Sequence, residues 1–415
     1  MRIAKMLMIT FLFVLGRYSI GQAQSFYSIL NKAKQDLLTD TFRNKNYKIL
    51  VSNLKRAVAI QPNSAEAHYL LAYAYSRLNS SDAKTIPDMQ LPLVIKMSTE
   101  LEKANKLAPL YGGETLGLGP YSKISSEWGA MALNYLYHDK PDSAKWALAE
   151  GKKRGGFDDF ILSVNKEILE RCSQNSILVP SGDDFTLPLY YLQLIDHVRL
   201  DITIVDMALL GTRWYPQYLL RNTPVKFGLA QSVVDTLEYK QWRRSLVTIN
   251  LNKTNRSFIW TVKPSYQGTY LLRGDLLFLA LLKENQFNRD VYFTKGFAAD
   301  QQLSLDKYLL SYPLVDKINI DNEKALDTDE FIKENQKTLL AFKPFNKKSK
   351  DDILPIDIIR ISVLNKINKV NSPDMRERLI LFLRTYLSEK SYPCYNSKIQ
   401  RVLNYYLNAP TTAKQ

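Results

Sequence analysis

Residues 175–219 read NSILVPSGDDFTLPLYYLQLIDHVRLDITIVDMALLGTRWYPQYL. Ile177-Leu178-Val179 and Ile202-Thr203-Ile204-Val205 are short apolar runs rich in β-branched residues. Between them, Gly182-Asp183-Asp184 opens a stretch with Leu and Tyr at helical spacing. Strand, tight turn, helix, strand is the pattern of a βαβ unit, and so of a parallel sheet. In open α/β sheets, ligands sit at the turns that follow the strands. This stretch is therefore where a small-molecule site is expected. Gly182, Asp183 and Asp184 lie past the first strand, Thr186 and Pro188 fall in the opening turn of the helix, and Asp206 ends the second strand. Strand ends of a parallel sheet share an edge, so three carboxylates could converge there. Converging acids can hold Mg²⁺ or Ca²⁺, or divide into general acid and base. The plainer reading of Asp183 and Asp184, and the favoured one, is helix capping, with their charge complementing the helix dipole. Arg213-Trp214-Tyr215 offers a forked donor and a stacking ring for a sugar or carboxylate. A buried Arg–Asp pair under a packed Trp is the competing reading.

Downstream, residues 246–250, 258–262 and 290–293 read as further strands and 271–282 as a helix. Residues 321–353 are polar and charged, a linker or loose helix, and their basic run 343–350 (KPFNKKSK) reads as solvated. Helical patterns return at 356–367, 374–387 and 397–407, with Pro355 suited to a first turn, where a missing N–H costs nothing.

Upstream, residues 26–170 look helical throughout. Leu54-x-x-Ala57-x-x-Ile60-x-Pro62 returns as Leu101-x-x-Ala104-x-x-Leu107-x-Pro109. Ala lets neighbouring helices approach, and Pro ends each helix before the next begins. New helices are expected over 65–75, over 127–136 and from Pro141 to Gly155-Gly156. These units resemble tetratricopeptide repeats, well over residues 44–79 and degenerately afterwards, with an insertion around 80–90. The resemblance implies a concave face that binds peptides or proteins. The Gly-rich segment 112–119 lacks the preceding strand and the Lys-Ser/Thr of a phosphate loop. It reads as a flexible connection.

At the N-terminus, Arg2 and Lys5 precede the apolar run 6–15 (MLMITFLFVL), and Gly21-Gln22-Ala23 follows. This is the pattern of a secretory signal peptide cleaved after Ala23. A retained anchor is the competing reading, but the run is shorter than the roughly 20 residues that span a bilayer. No Cys follows it to receive a lipid, and no other stretch is long and apolar enough to span. Export makes nucleic acid an unexpected partner. Removing residues 1–23 takes out Arg2, Lys5 and Arg17 and no acid, which lowers the formal charge from +15 to +12. That charge would attract anionic polymers or a membrane surface, although the basic residues are scattered. A hydrophobic share of 46% against 23% charged excludes a disordered chain, and 415 residues suffice for two or three cores. The 25 Tyr read chiefly as core and half-buried helix positions. His68, His138 and His197 have no metal-ligand spacing, so no zinc or other metal is expected. His197 reads as a structural residue within a helix. Cys172 and Cys394 either form one disulfide or stay as two free, buried thiols.

The segment 176–193, SILVPSGDDFTLPLYYLQ, resembles the "ILFTNGDNDTFPLWYLQ" segment of large Bacteroidetes membrane proteins whose soluble tail is exported. The multi-spanning half of those proteins resembles protein O-mannosyltransferases. The likeness continues in order. Residues 201–218 match "DVRVVNLSLLNTDWYIDQL", Asn288-Arg289-Asp290-Val291-Tyr292-Phe293 matches "NRPIYF", and 305–309 and 326–329 fit the later part. It covers roughly residues 175–335. In this chain Asp184 takes the place of Asn, Phe185 stands where the family has its second acid, and Asp290 replaces Pro. The multi-spanning half is absent from these residues. The resemblance therefore implies a soluble exported α/β module flanked by helical repeats, not a transferase.

The expected fold is α/β plus α: helical-hairpin, TPR-like repeats over 24–172, a Rossmann-like parallel-sheet domain over 173–320, a linker over 321–353 and C-terminal helices over 354–415. The expected function is that of an exported, periplasmic, non-catalytic accessory or interaction protein. Its repeats would bind another envelope protein or a peptide, with a glycan as a further ligand at Gly182, Asp183, Asp184, Thr186, Asp206, Arg213 and Trp214. No catalytic residue and no cofactor is assigned. The alternative is a glycan-acting hydrolase or transferase that uses the acids at the strand ends.

Overall fold

A computed structural model describes residues 24–39, 46–80, 82–113, 115–252, 256–297, 299–345 and 350–408. The expected leader, residues 1–23, lies outside them. The helical part comprises α1 (24–38), α2 (Tyr47–Ile60), α3 (Ala65–Asn79), a short 3₁₀ helix (Ala83–Asp88), α4 (Leu91–Leu107), α5 (Pro120–Tyr137), α6 (Pro141–Lys153) and α7 (Asp159–Arg171). Consecutive helices pack on one another, α2 on α3, α3 on α4 and α5 on α6. The repeated Leu54, Ala57, Leu101 and Ala104 are fully buried at those contacts. The Ser64 hydroxyl accepts from the Ala67 N–H at 3.2 Å and caps α3.

Side chains from the helices hold two connections. The insertion at 80–90 folds as the 3₁₀ helix, and Asn134 Nδ2 donates to the carbonyls of Ile86 and Pro87 at 2.8 and 2.7 Å. The Gly-rich segment is not simply flexible. The Tyr69 and Tyr73 hydroxyls donate to the Leu118 carbonyl at 2.8 Å and accept from the N–H groups of Leu116 and Leu118. Two buried phenols thus satisfy the loop's backbone in place of water.

The α/β part begins with β1 (Ile177–Val179), α8 (Asp183–Leu194), β2 (Thr203–Ile204), α9 (Met207–Leu210), α10 (Trp214–Asn222) and α11 (Gln231–Thr236). It continues with β3 (Tyr239–Gln241), β4 (Ser245–Asn250), β5 (Ser257–Val262), β6 (Tyr270–Leu272), α12 (Arg273–Asn285) and β7 (Val291–Thr294), and closes with β8 (Leu309–Ser311) and β9 (Val315–Ile318). The main sheet has the order β2-β1-β7-β9-β8. β1 is parallel to both β2 and β7, whereas β9 is antiparallel to β7 and to β8. The sheet is therefore mixed, not the all-parallel one expected. Every residue of β1 and of β7 is buried, as strands covered on both faces require. β4 and β5 form a separate antiparallel hairpin with strict alternation: Val247, Ile249, Phe258, Trp260 and Val262 point inward.

α5 packs against α8 and joins the helical and α/β parts. A Cβ on Gly129 would lie 2.7 Å from Leu187 Cδ1 and 2.9 Å from its Cβ, so only glycine permits this approach. Within α8, Pro188 has no N–H for the carbonyl of Asp184 one turn back. Asn165 Nδ2 of α7 donates to that carbonyl instead, at 3.3 Å.

The C-terminal part holds α13 (Thr328–Ala341), α14 (Leu354–Lys369), α15 (Pro373–Tyr386) and α16 (Ser397–Asn408). The stretch expected as a linker or loose helix contains α13, which starts with a capping box: Asp327 accepts from the N–H groups of Asp329 and Glu330, and Glu330 accepts from that of Asp327. Arg171 of α7 holds α13 through the Glu334 carbonyl and the Thr338 hydroxyl. The basic run does not begin free in solvent either. The Lys343 N–H donates to Ser163, and Phe345 packs edge-on against Phe160, ring centres 5.2 Å apart. Residues 346–349 of that run lie outside the described residues. Cys172 and Cys394 are free thiols, the first buried and the second half-buried. Among the described residues, no helix is long and apolar enough to cross a membrane.

Candidate functional site

Because β2 and β7 flank β1 on opposite sides, the strand order reverses next to β1, and the carboxyl ends of these strands frame a crevice. A cavity of about 550 Å³ opens there. The loop after β1 (Pro180, Ser181, Gly182), Asp206 at the end of β2 and Asp275 at the start of α12 line it. Gly182 occupies the N-cap of α8 with φ +84°, a left-handed conformation that favours glycine. That places Asp183 and Asp184 inside the first turn. The cap residue itself offers no side chain, and the two acids stand in the first turn, beside the helix N-terminus.

The three acids divide between this crevice and a second, smaller hollow, although the Asp183 carboxylate still acts on both Asp184 and Asp206. Asp206 faces the crevice edge but is buried and fully engaged. Its Oδ2 accepts from the Thr186 hydroxyl at 2.5 Å and its Oδ1 from the Leu209 N–H at 3.0 Å, which caps α9. Burial pushes its carboxyl above the usual range, against the pull of those two donors. Behind it, the Tyr190 and Tyr215 hydroxyls meet at 3.0 Å, and Tyr215 donates to the Ile204 carbonyl. Asp183 and Asp184 look the other way, into a hollow of about 20 Å³ between α5, α7 and α8. That is room for about one water and no more. Asp183 Oδ2 accepts from Ser126 of α5 at 2.7 Å. Burial first, then the carboxylates of Asp351 and Asp183, push Asp184 up to about 7. Among the described residues, no group of three or more His, Cys, Asp or Glu is placed to hold a metal ion.

Arg213 and Trp214 are not at the crevice. Arg213 makes an exposed 2.7 Å pair with Glu238. Trp214 is buried, donates from Nε1 to the Ala83 carbonyl at 2.8 Å and meets Tyr137 edge-on, so it wedges the α/β part against the helical part. The competing sequence reading was half right about this pair, since the Trp is packed but the Arg is neither buried nor paired with Asp. His197 sits in the turn after α8 with φ +54°, not within a helix.

Two arginines that the sequence did not single out tie the α/β part together. Arg289 donates to the carbonyls of Asn175 and Ser176 and to Thr203, and so fastens the start of β1 to β2. Buried Arg273 donates to the carbonyls of Thr212, Val234 and Leu237 and ties the segment after α9 to the end of α11. The available signal was the position of Arg289 within Asn288-Arg289-Asp290-Val291-Tyr292-Phe293, which marks a residue tied to a strand start. Arg273 carried no such signal.

The chain matches no curated protein and no solved structure. A family model described as TMEM260-associated domain 2 matches residues 161–264, from α7 through β5, and so takes in the β1–α8–β2 unit and the β4–β5 hairpin.

Proposed function

We propose that this chain is an exported, non-catalytic accessory protein that works beside a glycosylation system. In this reading the α1–α7 hairpins are TPR-like and dock a protein or peptide of the cell envelope, while the Rossmann-like module offers its crevice to a glycan. Residues 1–23 would act as the leader that delivers it to a periplasmic setting. The likeness to a domain associated with TMEM260, an O-mannosyltransferase-like membrane protein, supports the glycosylation context. The observation that carries the non-catalytic reading is the employment of the acids. Asp206 is committed to Thr186 and to the cap of α9, and Asp183 to Ser126 across the joint with α5. Each acid so held has a structural task, at the joint with α5 or at the cap of α9, and that supports the non-catalytic reading.

One observation favours the alternative, a glycan-acting enzyme: a carboxyl raised to about 7 beside a second carboxylate is the pairing that divides acid from base. The hollow beside Asp184 is too small for a sugar ring. The test is to incubate the purified chain with envelope glycopeptides and oligosaccharides, following binding and product release separately. Binding without turnover is the expected result. Turnover that disappears in Asp184→Asn or Asp206→Asn would refute the accessory role.

A further inference from the structure

A second cleft lies across Phe297 from the crevice, with a volume of about 540 Å³. One wall is the loop that follows β7, with Asp316 of β9 beside it. The other is a single face of α14, where Ile358, Ile361, Ser362, Asn365, Lys366 and Lys369 recur at helical spacing of three and four. Leu326 and Phe331 complete an apolar lining. The volume falls in the range of small-molecule sites, which combine apolar walls with a few placed polar groups.

The two clefts carry opposite charge. The crevice is lined by Asp206 and Asp275 and by no Lys or Arg. The second cleft is lined by three lysines and one acid. That acid is taken, because Lys295 Nζ lies 2.6 Å from Asp316 Oδ1 and 2.5 Å from the Ser311 hydroxyl. Lys366 Nζ donates to the Leu326 carbonyl at 2.8 Å and sits 5.5 Å from the centre of the Phe331 ring. Among the described residues, neither Lys366 nor Lys369 has a carboxylate within 4.0 Å. Burial pulls the Lys366 ammonium below its usual range; the Asp327 carboxylate opposes this in part and Lys369 adds to it. An amphipathic cleft with two cations one turn apart, neither in a salt bridge, would gain most from an anionic guest.

We infer that this cleft binds a small organic anion. Its apolar body lies against Phe297, Leu326, Phe331 and Ile358, and its carboxylate or phosphate sits between Lys366 and Lys369 within reach of Ser362 and Asn365. The inference stands independently of the accessory role proposed above.

Isothermal titration of the purified chain with benzoate, phenyl phosphate and uncharged benzyl alcohol tests it. At least one anion should bind, with benzyl alcohol at least about tenfold weaker, and the tighter anion identifies the head group. Lys366→Gln and Lys369→Gln should each weaken the anion about tenfold, while Lys226→Gln, an exposed position that does not line the cleft, leaves it unchanged. Lys369 is exposed, so its variant reads binding rather than folding even if Lys366→Gln is unstable. Equal affinity for benzyl alcohol, no effect of Lys369→Gln, or no binding by either anion would each overturn the assignment.

Discussion

Replacing Asp184 with Asn should stabilise the protein at alkaline pH and leave it unchanged at acid pH. The carboxyl rises from an ordinary 3.8 to about 7 in the folded chain, through burial first and then the charges of Asp351 and Asp183. A raised folded pKa means that the folded state holds this proton more tightly than the unfolded chain. The stability linked to it is complete below about pH 4 and is lost as pH rises through about 7. About three units at about 1.4 kcal/mol each set a ceiling near 4 kcal/mol. Asp184 is partly exposed, so solvent and salt screen part of this, and about 2 kcal/mol is the expected size. Asn mimics the neutral acid. Urea unfolding followed by circular dichroism, at fixed ionic strength from about pH 3 to 8.5, should show the two curves together at the acid end, separating between about pH 4 and 7 and parallel above that. A difference that stays flat across this range, or a variant less stable at pH 8, would refute the placement of Asp184 against its acidic neighbours.

Three further outcomes follow from the packing. Gly129→Ala gains about 1 kcal/mol of helix propensity but drives a Cβ into Leu187; a net loss of about 1–3 kcal/mol is expected, and Leu187→Ala in the same chain should lessen the effect of the added methyl. Arg360→Ala removes a fully buried guanidinium that donates to Asp357 and to the carbonyls of Leu387, Tyr392 and Pro393, and should cost about 3–5 kcal/mol, visible as a lower urea midpoint and earlier proteolysis after α15. Thiol titration without reductant should count two free thiols in denaturant; in the native chain Cys394 should react slowly and Cys172, which burial pushes up to about 12, should stay silent.

The β1–α8–β2 unit could be read from the chain because its cues are local. A run of three buried aliphatic residues, a glycine turn and Leu/Tyr at helical spacing specify each element within a few residues. The same holds for the repeated Leu and Ala of α2 and α4, and for α14 to α16. The antiparallel edge of the sheet was not legible. β8 is three residues long and β9 buries only its ends, so neither carries a period; β9 owes its conformation to pairing with β7, and β8 to pairing with β9. The strands β4 and β5 were legible, but their isolation as a separate hairpin was not, since alternation does not name a partner.

The candidate site divides along the same line. The sequence alone placed Gly182, Asp183, Asp184 and Thr186 at a strand-to-helix turn, because that depends on neighbours along the chain. Tertiary structure alone decided what those groups do. It turned Asp206 towards Thr186, set Ser126 of α5 against Asp183 and brought Asp351 from beyond α13 close enough to raise the Asp184 carboxyl. It also sent Arg213 and Trp214 away from the crevice and assembled the lysine-lined cleft from α14 and the loop after β7. Helix and turn preferences are written in consecutive residues, whereas burial and charge at a site depend on which distant segments the packed core brings together.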